Sequence, residues 1–263
     1  MRENGLKTLW AADRPAVNGW LGIPSSAAAE NMAQAGWDSL TVDLQHGLVD
    51  YQTAIGMLQA ISTTAATPLV RVPWNEPGII MKLLDAGAYG VICPMVNSRA
   101  EAEALVRACR YPPEGERSFG PVRATWYGGA DYAVKANETL LVLPMIETRK
   151  AVENLDEILS TPGVDGVYVG PADLGLSHGF AAKGDRDEPE LLEIIHAIAA
   201  AAKRHGKVAG IHCGAPAYAR GMIEKGYRLV TIQADNQLLA AAAQRAVALT
   251  RTGRAEGSGG GLY

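Results

Sequence analysis

The sequence is short of cysteine, of net positive charge and of long apolar runs. Its three cysteines lie far apart and form no CxxC pair, which favours reduced thiols over a disulfide framework or a thiolate metal centre. The 24 lysine and arginine residues are outnumbered by 28 aspartate and glutamate residues, so a net charge of −4 argues against nucleic acid as a partner. No apolar run approaches the roughly 18 residues of a transmembrane helix, and the N-terminus MRENGLKTLW lacks the apolar core of a signal peptide. These absences predict a cytoplasmic protein that contacts neither nucleic acid nor membrane.

What is present is a repeated alternation of apolar strand-like runs with amphipathic helical stretches. In the stretch EPGIIMKLLDAG (76–87), for example, the apolar residues recur on one face at the period of an α-helix. Glycine follows several of these stretches, where a left-handed residue is needed to end the helix. These glycines are Gly36, Gly87, Gly163, Gly206 and Gly226. The predicted strands are 16–23, 39–44, 67–73, 90–96, 140–147, 165–171, 207–213 and 228–235.

Eight strands that alternate with helices predict a (β/α)8 TIM barrel, formed as a single domain by residues 1–252. An open doubly wound sheet is the alternative, but the GxGxxG fingerprint of a dinucleotide site does not follow the first strand. The longest interruption, residues 112–130, is expected to be a functional or interface segment. The glycine-rich tail 253–263 is expected to be flexible.

Polar residues are concentrated where the predicted strands end. The second strand ends in VDLQHG, which places Asp43, Gln45 and His46 within four positions. A lone histidine at a strand end is usually a satisfied structural residue. In a barrel, however, the strand ends meet at one rim, and enzymes of this fold place their chemistry there. The residues at the other strand ends, which favour a functional role for His46, are Trp20, Arg71, Glu147, Gly170, Pro171, Ala172, Asp173 and His212.

Two carboxylates come from neighbouring strands of the predicted barrel. Glu147 ends the fifth strand and Asp173 follows the sixth, so their oxygens suit a hard cation such as Mg²⁺ or Mn²⁺. The alternative for each carboxylate is a helix or turn cap. No lysine ends a predicted strand, whereas a Schiff-base mechanism needs a desolvated lysine inside the barrel. A divalent metal is therefore favoured over an imine as the electron sink.

Arg71 and the segment GPAD (170–173) are candidates for binding an anionic substrate. A guanidinium at the rim suits a carboxylate or a developing oxyanion, although a structural ion pair with a strand-end acid is the alternative. The glycine of the segment allows the backbone to approach a ligand, and the amides of Ala172 and Asp173 open a helical turn that suits a carboxylate. His212 is interpreted as a substrate-contacting wall residue, with a metal ligand as the alternative.

Several stretches together resemble the HpcH/HpaI family of metal-dependent class II pyruvate aldolases, which includes 4-hydroxy-2-oxoheptanedioate and 2-keto-3-deoxy-sugar-acid aldolases. The stretches follow one another in order from residue 20 to about residue 177, and no single short motif would suffice. They are WLGIPSSAAAENMAQAGWDSLTVDLQHG, VRVPWNEPGIIMKLLDAGAYGVICPMV, RYPPEGERSFG, MIETRKAVENL and GVDGVYVGPADLGLS.

The resemblance implies a (β/α)8 barrel that assembles as a homohexamer. It implies reversible aldol cleavage of 4-hydroxy-2-oxo acids to an aldehyde and pyruvate, or a small analogue such as hydroxypyruvate, through an enolate that a divalent metal stabilises. Glu147 and Asp173 are implied as ligands of Mg²⁺, Mn²⁺ or Co²⁺, and Arg71 as the residue that binds the 2-oxo group. His46 is implied as the acid/base that takes the C4 hydroxyl proton, with Asp43 orienting its ring.

Two positions depart from the family pattern. Many relatives have an acidic residue at the position of Gln45 and a glutamine at that of Met145, and both differences bear on substrate choice. Trp20 and the segment 112–130 are expected to shape the aldehyde pocket. Two other functions stay open: an acyl-CoA lyase-like metal-enolate enzyme on the same barrel, and a non-catalytic binding barrel. The first needs a CoA channel with basic residues, and the second is expected to lack the base or a carboxylate.

Overall fold

Eight parallel strands close into a barrel in chain order within residues 1–253, which the computed structural model describes. The strands are β1 (Ala16–Leu21), β2 (Ser39–Asp43), β3 (Thr67–Arg71), β4 (Gly90–Cys93), β5 (Leu141–Ile146), β6 (Gly166–Val169), β7 (Val208–Cys213) and β8 (Leu229–Ala234). Because β1 pairs with β8 as well as with β2, the sheet has no open edge. The prediction of a (β/α)8 TIM barrel is confirmed.

Helices connect successive strands and cover the outside of the barrel. In the described part of the chain, no helix is both long and apolar enough to cross a membrane. The helices are α1 (Gly5–Ala11), α2 (Ser26–Ala33), α3 (Tyr51–Ile61), α4 (Pro77–Asp85), α5 (Arg99–Cys109), α6 (Arg123–Gly128), α7 (Tyr132–Thr139), α8 (Arg149–Glu153), α9 (Leu155–Leu159), α10 (Pro171–Ser177), α11 (Pro189–Arg204), α12 (Pro216–Glu224) and α13 (Asp235–Thr252).

Each observed strand lies within a predicted one, and the five glycines predicted to end helices all have a positive φ, between 65° and 101°. The segment 112–130, predicted to be a functional or interface segment, contains α6. Arg123 anchors this helix by donating to the carbonyls of Leu58 at 3.1 Å and Ala86 at 2.5 Å. The flexible tail predicted for 253–263 lies outside the described residues, apart from Gly253, which caps α13 in the left-handed conformation.

Two layers of side chains stabilise the barrel. Apolar residues between the strands and the surrounding helices form the larger cluster. A second cluster fills the barrel interior, where Leu69, Ile92, Leu143 and Tyr168 project from different strands. Leu6 of α1 belongs to this inner cluster, so the N-terminal helix closes the end of the barrel where the strands begin.

Leu143 provides a test of the inner cluster. Replacing this fully buried side chain with alanine should lower the free energy of unfolding by about 2–5 kcal/mol, because it removes buried methyl groups and leaves a cavity. Urea unfolding followed by circular dichroism measures the change. Val134→Ala is the matched control, because Val134 is 82% exposed and its truncation should change stability by less than about 0.5 kcal/mol. Equal effects of the two substitutions would contradict a packed barrel interior.

Candidate active site

A cavity of about 460 Å³ opens at the carboxyl ends of the strands. Every residue that the sequence predicts as catalytic, metal-binding or substrate-binding lines it, although these residues are spread over nearly 200 positions of the chain. They are Trp20, Asp43, His46, Arg71, Met145, Glu147, Gly170, Pro171, Ala172, Asp173 and His212. The barrel therefore brings the predicted residues together, while their individual roles stay predictions.

The Asp43 carboxylate is the centre of a hydrogen-bond network in this cavity. Arg71 donates to it twice, from Nε to Oδ1 at 2.8 Å and from Nη2 to Oδ2 at 2.6 Å. Trp20 Nε1 donates to Oδ2 at 3.1 Å, and the Arg71 guanidinium lies 4.8 Å from the centroid of the Trp20 ring. Burial disfavours the carboxylate anion, but the bonds and charge of Arg71 outweigh it and hold the pKa of Asp43 below its usual value.

The structural alternative for Arg71, an ion pair with a strand-end acid, is thus present. The ion pair uses only Nε and Nη2 of the guanidinium. Nη1 of Arg71 has no hydrogen-bond partner among the described residues, and Arg71 lines the cavity. A fork that is fixed on one side and free on the other can donate to a substrate oxygen without reorganising.

His46 lines the cavity at its exposed rim. Asp43 Oδ1 accepts the backbone amides of Gln45 at 3.0 Å and of His46 at 3.4 Å, so the carboxylate shapes the turn that carries His46. The side chains that donate to Asp43 are those of Arg71 and Trp20, and together they bond both of its carboxylate oxygens. Among the described residues no hydrogen bond joins Asp43 to the His46 imidazole; Asp43 bonds the backbone of His46 and the side chain of Arg71, and its role in orienting the imidazole stays a prediction.

Glu147 is a buried carboxylate with one oxygen bound and one open. Oε1 accepts the amide of Met95 at 2.8 Å, and Met95 adopts a left-handed φ of 56° at that point. Oε2 has no hydrogen-bond partner among the described residues and is not sealed from the cavity. Burial, aided by the nearby charge of Asp173, raises the pKa of Glu147 to about 7 despite the Met95 bond and the charge of Arg71.

The segment after β6 surrounds the open oxygen of Glu147. A Cβ at Gly170 would lie 2.5 Å from Glu147 Oε2, so only glycine leaves this space free. In α10 the first amide bonded within the helix is that of Leu174, to Gly170 O at 3.0 Å. The amides of Ala172 and Asp173, which both line the cavity, are left without a helical acceptor and can bind an anion there.

Tyr168 is a cavity residue that the sequence reasoning missed. It lies within the apolar run GVYV of β6, where an inward-facing polar group cannot be told from a core aromatic without the strand register. Its ring stacks against Trp20 with centroids 5.8 Å apart, and its hydroxyl lies 3.4 Å from His212 Nδ1. The His212 and Trp20 rings are perpendicular with centroids 5.0 Å apart, so these three rings form the floor of the cavity.

The sequence profile of the HpcH/HpaI aldolase/citrate lyase family matches residues 19–242. The chain belongs to this family.

Relatives within the HpcH/HpaI family cover nearly the whole chain. A hydroxypyruvate/pyruvate aldolase of Rhizorhabdus wittichii is 45% identical over 248 residues, which are 94% of this chain and 99% of that protein. A 4-hydroxy-2-oxo-heptane-1,7-dioate aldolase of Escherichia coli is 41% identical over 92% of this chain and 93% of its own length. The crystal structure of an HpcH/HpaI aldolase/citrate lyase family protein from Burkholderia cenocepacia superimposes with a TM-score of 0.88 at 36% identity, covering 95% of this chain and 100% of that one.

Membership of the HpcH/HpaI family confirms the resemblance drawn from the short stretches. It also confirms the enzyme class: the chain is an aldolase, a carbon–carbon lyase on a TIM barrel.

The raised pKa of Glu147 gives metal-free protein a specific pH dependence. The folded-state pKa is about 7 and the ordinary value is 4.5, so between them the folded state binds more protons and stability falls as pH rises. Glu147→Gln cannot ionise and should lose this fall. The free energy of unfolding of the wild type, relative to that variant, should therefore drop by up to about 3 kcal/mol from pH 4.5 to pH 7.

Denaturant unfolding of both proteins in the presence of a chelator measures this difference. Glu153→Gln, on the outer helix α8, serves as the control and should leave the pH dependence of the wild type in place. If the free energy of unfolding changes with pH by the same amount in the wild type and in Glu147→Gln, the raised pKa of Glu147 in the folded, metal-free chain is contradicted.

Proposed function

We propose that the chain catalyses reversible aldol cleavage and addition between a 2-oxo acid, pyruvate or hydroxypyruvate, and an aldehyde. One observation carries the proposal: Arg71, fixed by Asp43, lies in the same cavity as the carboxylates Glu147 and Asp173. An anionic 2-oxo acid needs a cationic donor for its developing oxyanion and a hard cation for chelation, and this cavity can provide both. The names of the Rhizorhabdus and Escherichia relatives support the same substrate class.

A divalent cation, Mg²⁺, Mn²⁺ or Co²⁺, fits the pair Glu147 and Asp173. Glu147 Oε2 is open to the cavity, and a cation would favour its ionised form, which burial opposes in the metal-free chain. In the described residues no three His, Cys, Asp or Glu side chains are grouped for a metal, so water and substrate oxygens would complete the ligand set. When bound, the cation supplies electrophilic polarisation of the 2-oxo group.

The chain's own residues bind different groups of the substrate, according to their positions in the cavity. The free Nη1 of Arg71 donates to the C2 oxygen as negative charge develops there. The open amides of Ala172 and Asp173 receive the substrate carboxylate. In cleavage, the electrons of the C3–C4 bond remain on C3, C4 becomes the aldehyde carbon, and the C4 hydroxyl must lose its proton.

His46 is the proposed base for that proton. It lies at the exposed rim of the cavity, where the aldehyde enters and leaves, and an imidazole exchanges protons near neutral pH. The turn that presents it depends on Gly47, because a Cβ there would lie 2.3 Å from the carbonyl oxygen of Asp43. Trp20 lies on the cavity floor, and the segment 112–130 is proposed to shape the aldehyde pocket from a neighbouring subunit.

Two rival functions predict different cavities. An acyl-CoA lyase needs basic residues along a channel for the nucleotide phosphates. Among the described residues that line this cavity, however, Arg71 is the only arginine or lysine. A non-catalytic binding barrel has no need for a base, a fixed guanidinium and two carboxylates in one cavity. The relatives are named aldolases, which supports the proposed aldol reaction and neither of the two rival functions.

A homohexamer in the cytoplasm is part of the same proposal. Large apolar side chains are exposed on the segment 112–130, where a partner subunit would cover them. They are Phe119, Val122 and Trp126. The three buried, unpaired cysteines fit a reducing compartment.

Proton exchange at C3 of pyruvate tests the function directly. In D₂O with Mg²⁺, Mn²⁺ or Co²⁺ and no aldehyde, wild-type protein should exchange the methyl protons, because enolisation does not require the acceptor. Arg71→Ala should slow exchange by roughly 10²–10³-fold, the usual effect of losing one oxyanion donor. Arg71→Lys should recover only part of the rate, since lysine lacks the planar fork that Asp43 holds. Proton NMR follows the loss of the methyl signal.

Arg204→Ala is the control for this experiment, because Arg204 is exposed, lies at the end of α11 and pairs with Asp156 far from the cavity. It should exchange at the wild-type rate. Chelation should stop exchange in all variants, and each cation that binds should restore it. If no 2-oxo acid exchanges with any of the three cations, the proposal of a 2-oxo acid substrate is wrong.

His46→Ala should reduce retro-aldol turnover by roughly 10²–10⁴-fold, the usual contribution of a positioned general base. Binding of Mn²⁺, followed by its effect on water proton relaxation, should be unchanged, because His46 is assigned outside the ligand set. His205→Ala, whose ring pairs with Asp156 on the surface, is the matched control and should retain turnover. Loss of Mn²⁺ affinity in His46→Ala would make His46 a ligand instead.

A further inference from the structure

A ladder of polar side chains runs through the barrel interior to the cavity floor. Asn18 Nδ2 donates to Thr231 Oγ1 at 2.8 Å, Thr231 Oγ1 lies 2.5 Å from the Tyr168 hydroxyl, and that hydroxyl lies 3.4 Å from His212 Nδ1. Asn18, Thr231 and Tyr168 are fully buried. The lower end of the ladder is completed by the hydroxyls of Ser39 and Thr41, which donate to Asn18 Oδ1 at 2.8 and 3.1 Å.

The ladder has a direction, because each buried hydroxyl proton needs an acceptor. Thr231 Oγ1 already accepts from Asn18, and Tyr168 is its one other partner among the described residues, so its proton goes to the Tyr168 oxygen. Tyr168 must then donate its own proton to His212 Nδ1. The reverse direction requires Asn18 to present its oxygen to Thr231, which would leave the hydroxyl protons of Ser39 and Thr41 without an acceptor.

This direction sets the tautomer of His212. Nδ1 accepts, so the single proton of the neutral ring is on Nε2. Nε2 has no partner among the described residues and is not sealed from the cavity that His212 lines. Burial, together with the charge of Arg71, lowers the pKa of His212 to about 4, so the ring is a neutral donor at working pH and not a proton source.

His212 lies at the deep end of the cavity. Its ring is perpendicular to the Trp20 ring with centroids 5.0 Å apart, and the Arg71 guanidinium lies 4.8 Å from the centroid of the same indole. His46, by contrast, is exposed at the rim. The 2-oxo acid, which Arg71 binds, therefore lies nearer to His212 than the aldehyde does. A neutral donor beside a cation suits a neutral oxygen, since the anionic oxygens of the acid are already matched by charge.

We propose that His212 is a specificity-determining residue whose Nε2–H, fixed by the Tyr168–Thr231–Asn18 ladder, binds the C3 hydroxyl of a hydroxylated 2-oxo acid and so favours hydroxypyruvate over pyruvate. The inference rests on the proposed aldolase function and adds to it the group that reads the substituent at C3.

The tautomer is measured without any substrate. Long-range proton–nitrogen correlation spectra of ¹⁵N-labelled protein at neutral pH give the tautomer of each histidine, and the signals of His212 are those lost in His212→Leu. The expected pattern for wild type is a protonated Nε2 and an unprotonated Nδ1. Tyr168→Phe removes the hydroxyl and should give a mixture of tautomers. A wild-type ring protonated on Nδ1 overturns the proposal, whatever the protein catalyses.

The selectivity is measured as the ratio of kcat/KM for hydroxypyruvate to that for pyruvate, with glycolaldehyde as the common acceptor. His212→Leu should lower this ratio about 3- to 10-fold, the effect of one neutral hydrogen bond. His212→Gln, which keeps an N–H donor, should retain more of the ratio than His212→Leu does. His205→Gln, at the opposite end of the barrel, is the control and should leave the ratio unchanged.

The outcomes separate this inference from the function on which it rests. An unchanged ratio in a folded His212→Leu, with both acids turned over, overturns the role of His212 and leaves the aldolase function intact. Failure of wild type to turn over either acid overturns the proposed function, and with it the selectivity. A lowered ratio in both His212→Leu and His212→Gln to the same extent indicates a packing role and also overturns the donor assignment.

Discussion

The paired hydrogen bonds between Asp43 and Arg71 are the constraint on which the rest of the cavity depends. The two residues face each other across the register of β2 and β3, so the barrel itself brings the carboxylate and the guanidinium together. Removing either partner would leave a buried charge unpaired, which is far more costly than losing the contact alone. The Trp20 indole and the turn that carries His46 are both bonded to the same carboxylate. One ion pair therefore helps to position Trp20 on the cavity floor, the Arg71 guanidinium and the turn that carries His46.

The pKa values of two carboxylates in this cavity, Asp43 and Glu147, are shifted in opposite directions because their surroundings differ. Burial opposes ionisation of both, but at Asp43 it is outweighed by Arg71, and at Glu147 it prevails with the help of Asp173. A carboxylate that is held ionised serves as a fixed anchor, whereas the proposed cation would displace the proton from a carboxylate whose pKa is raised. The difference in environment therefore gives two carboxylates of one cavity opposite pKa shifts.

Much of this site was predictable from the sequence, because a barrel gathers strand ends at one rim and glycines mark the preceding helix ends. The predicted cavity residues could be located without coordinates for that reason. The partners of Asp43 could not, since strand-end spacing does not reveal which of Arg71 and His46 a short carboxylate reaches. Tyr168 was missed because a polar group in an apolar strand reads as core. Met95, whose amide donates to Glu147, adopts a left-handed φ, and the sequence does not reveal this conformation because the residue is not a glycine.

Ionisable side chains line the cavity of this barrel, and uncharged polar side chains lie deeper in its interior. The cavity lining above the floor carries Asp43, Arg71, Glu147 and Asp173, whereas the interior beneath holds an uncharged ladder from Asn18 to His212. A neutral ladder avoids the desolvation penalty of a buried ion and still delivers an oriented donor, because its hydrogen bonds can be satisfied in one direction only. Apolar residues at these positions would pack as well but would present no donor. The cost of burying polar groups in the barrel is therefore offset by orientation, and that orientation is what the cavity floor offers a substrate.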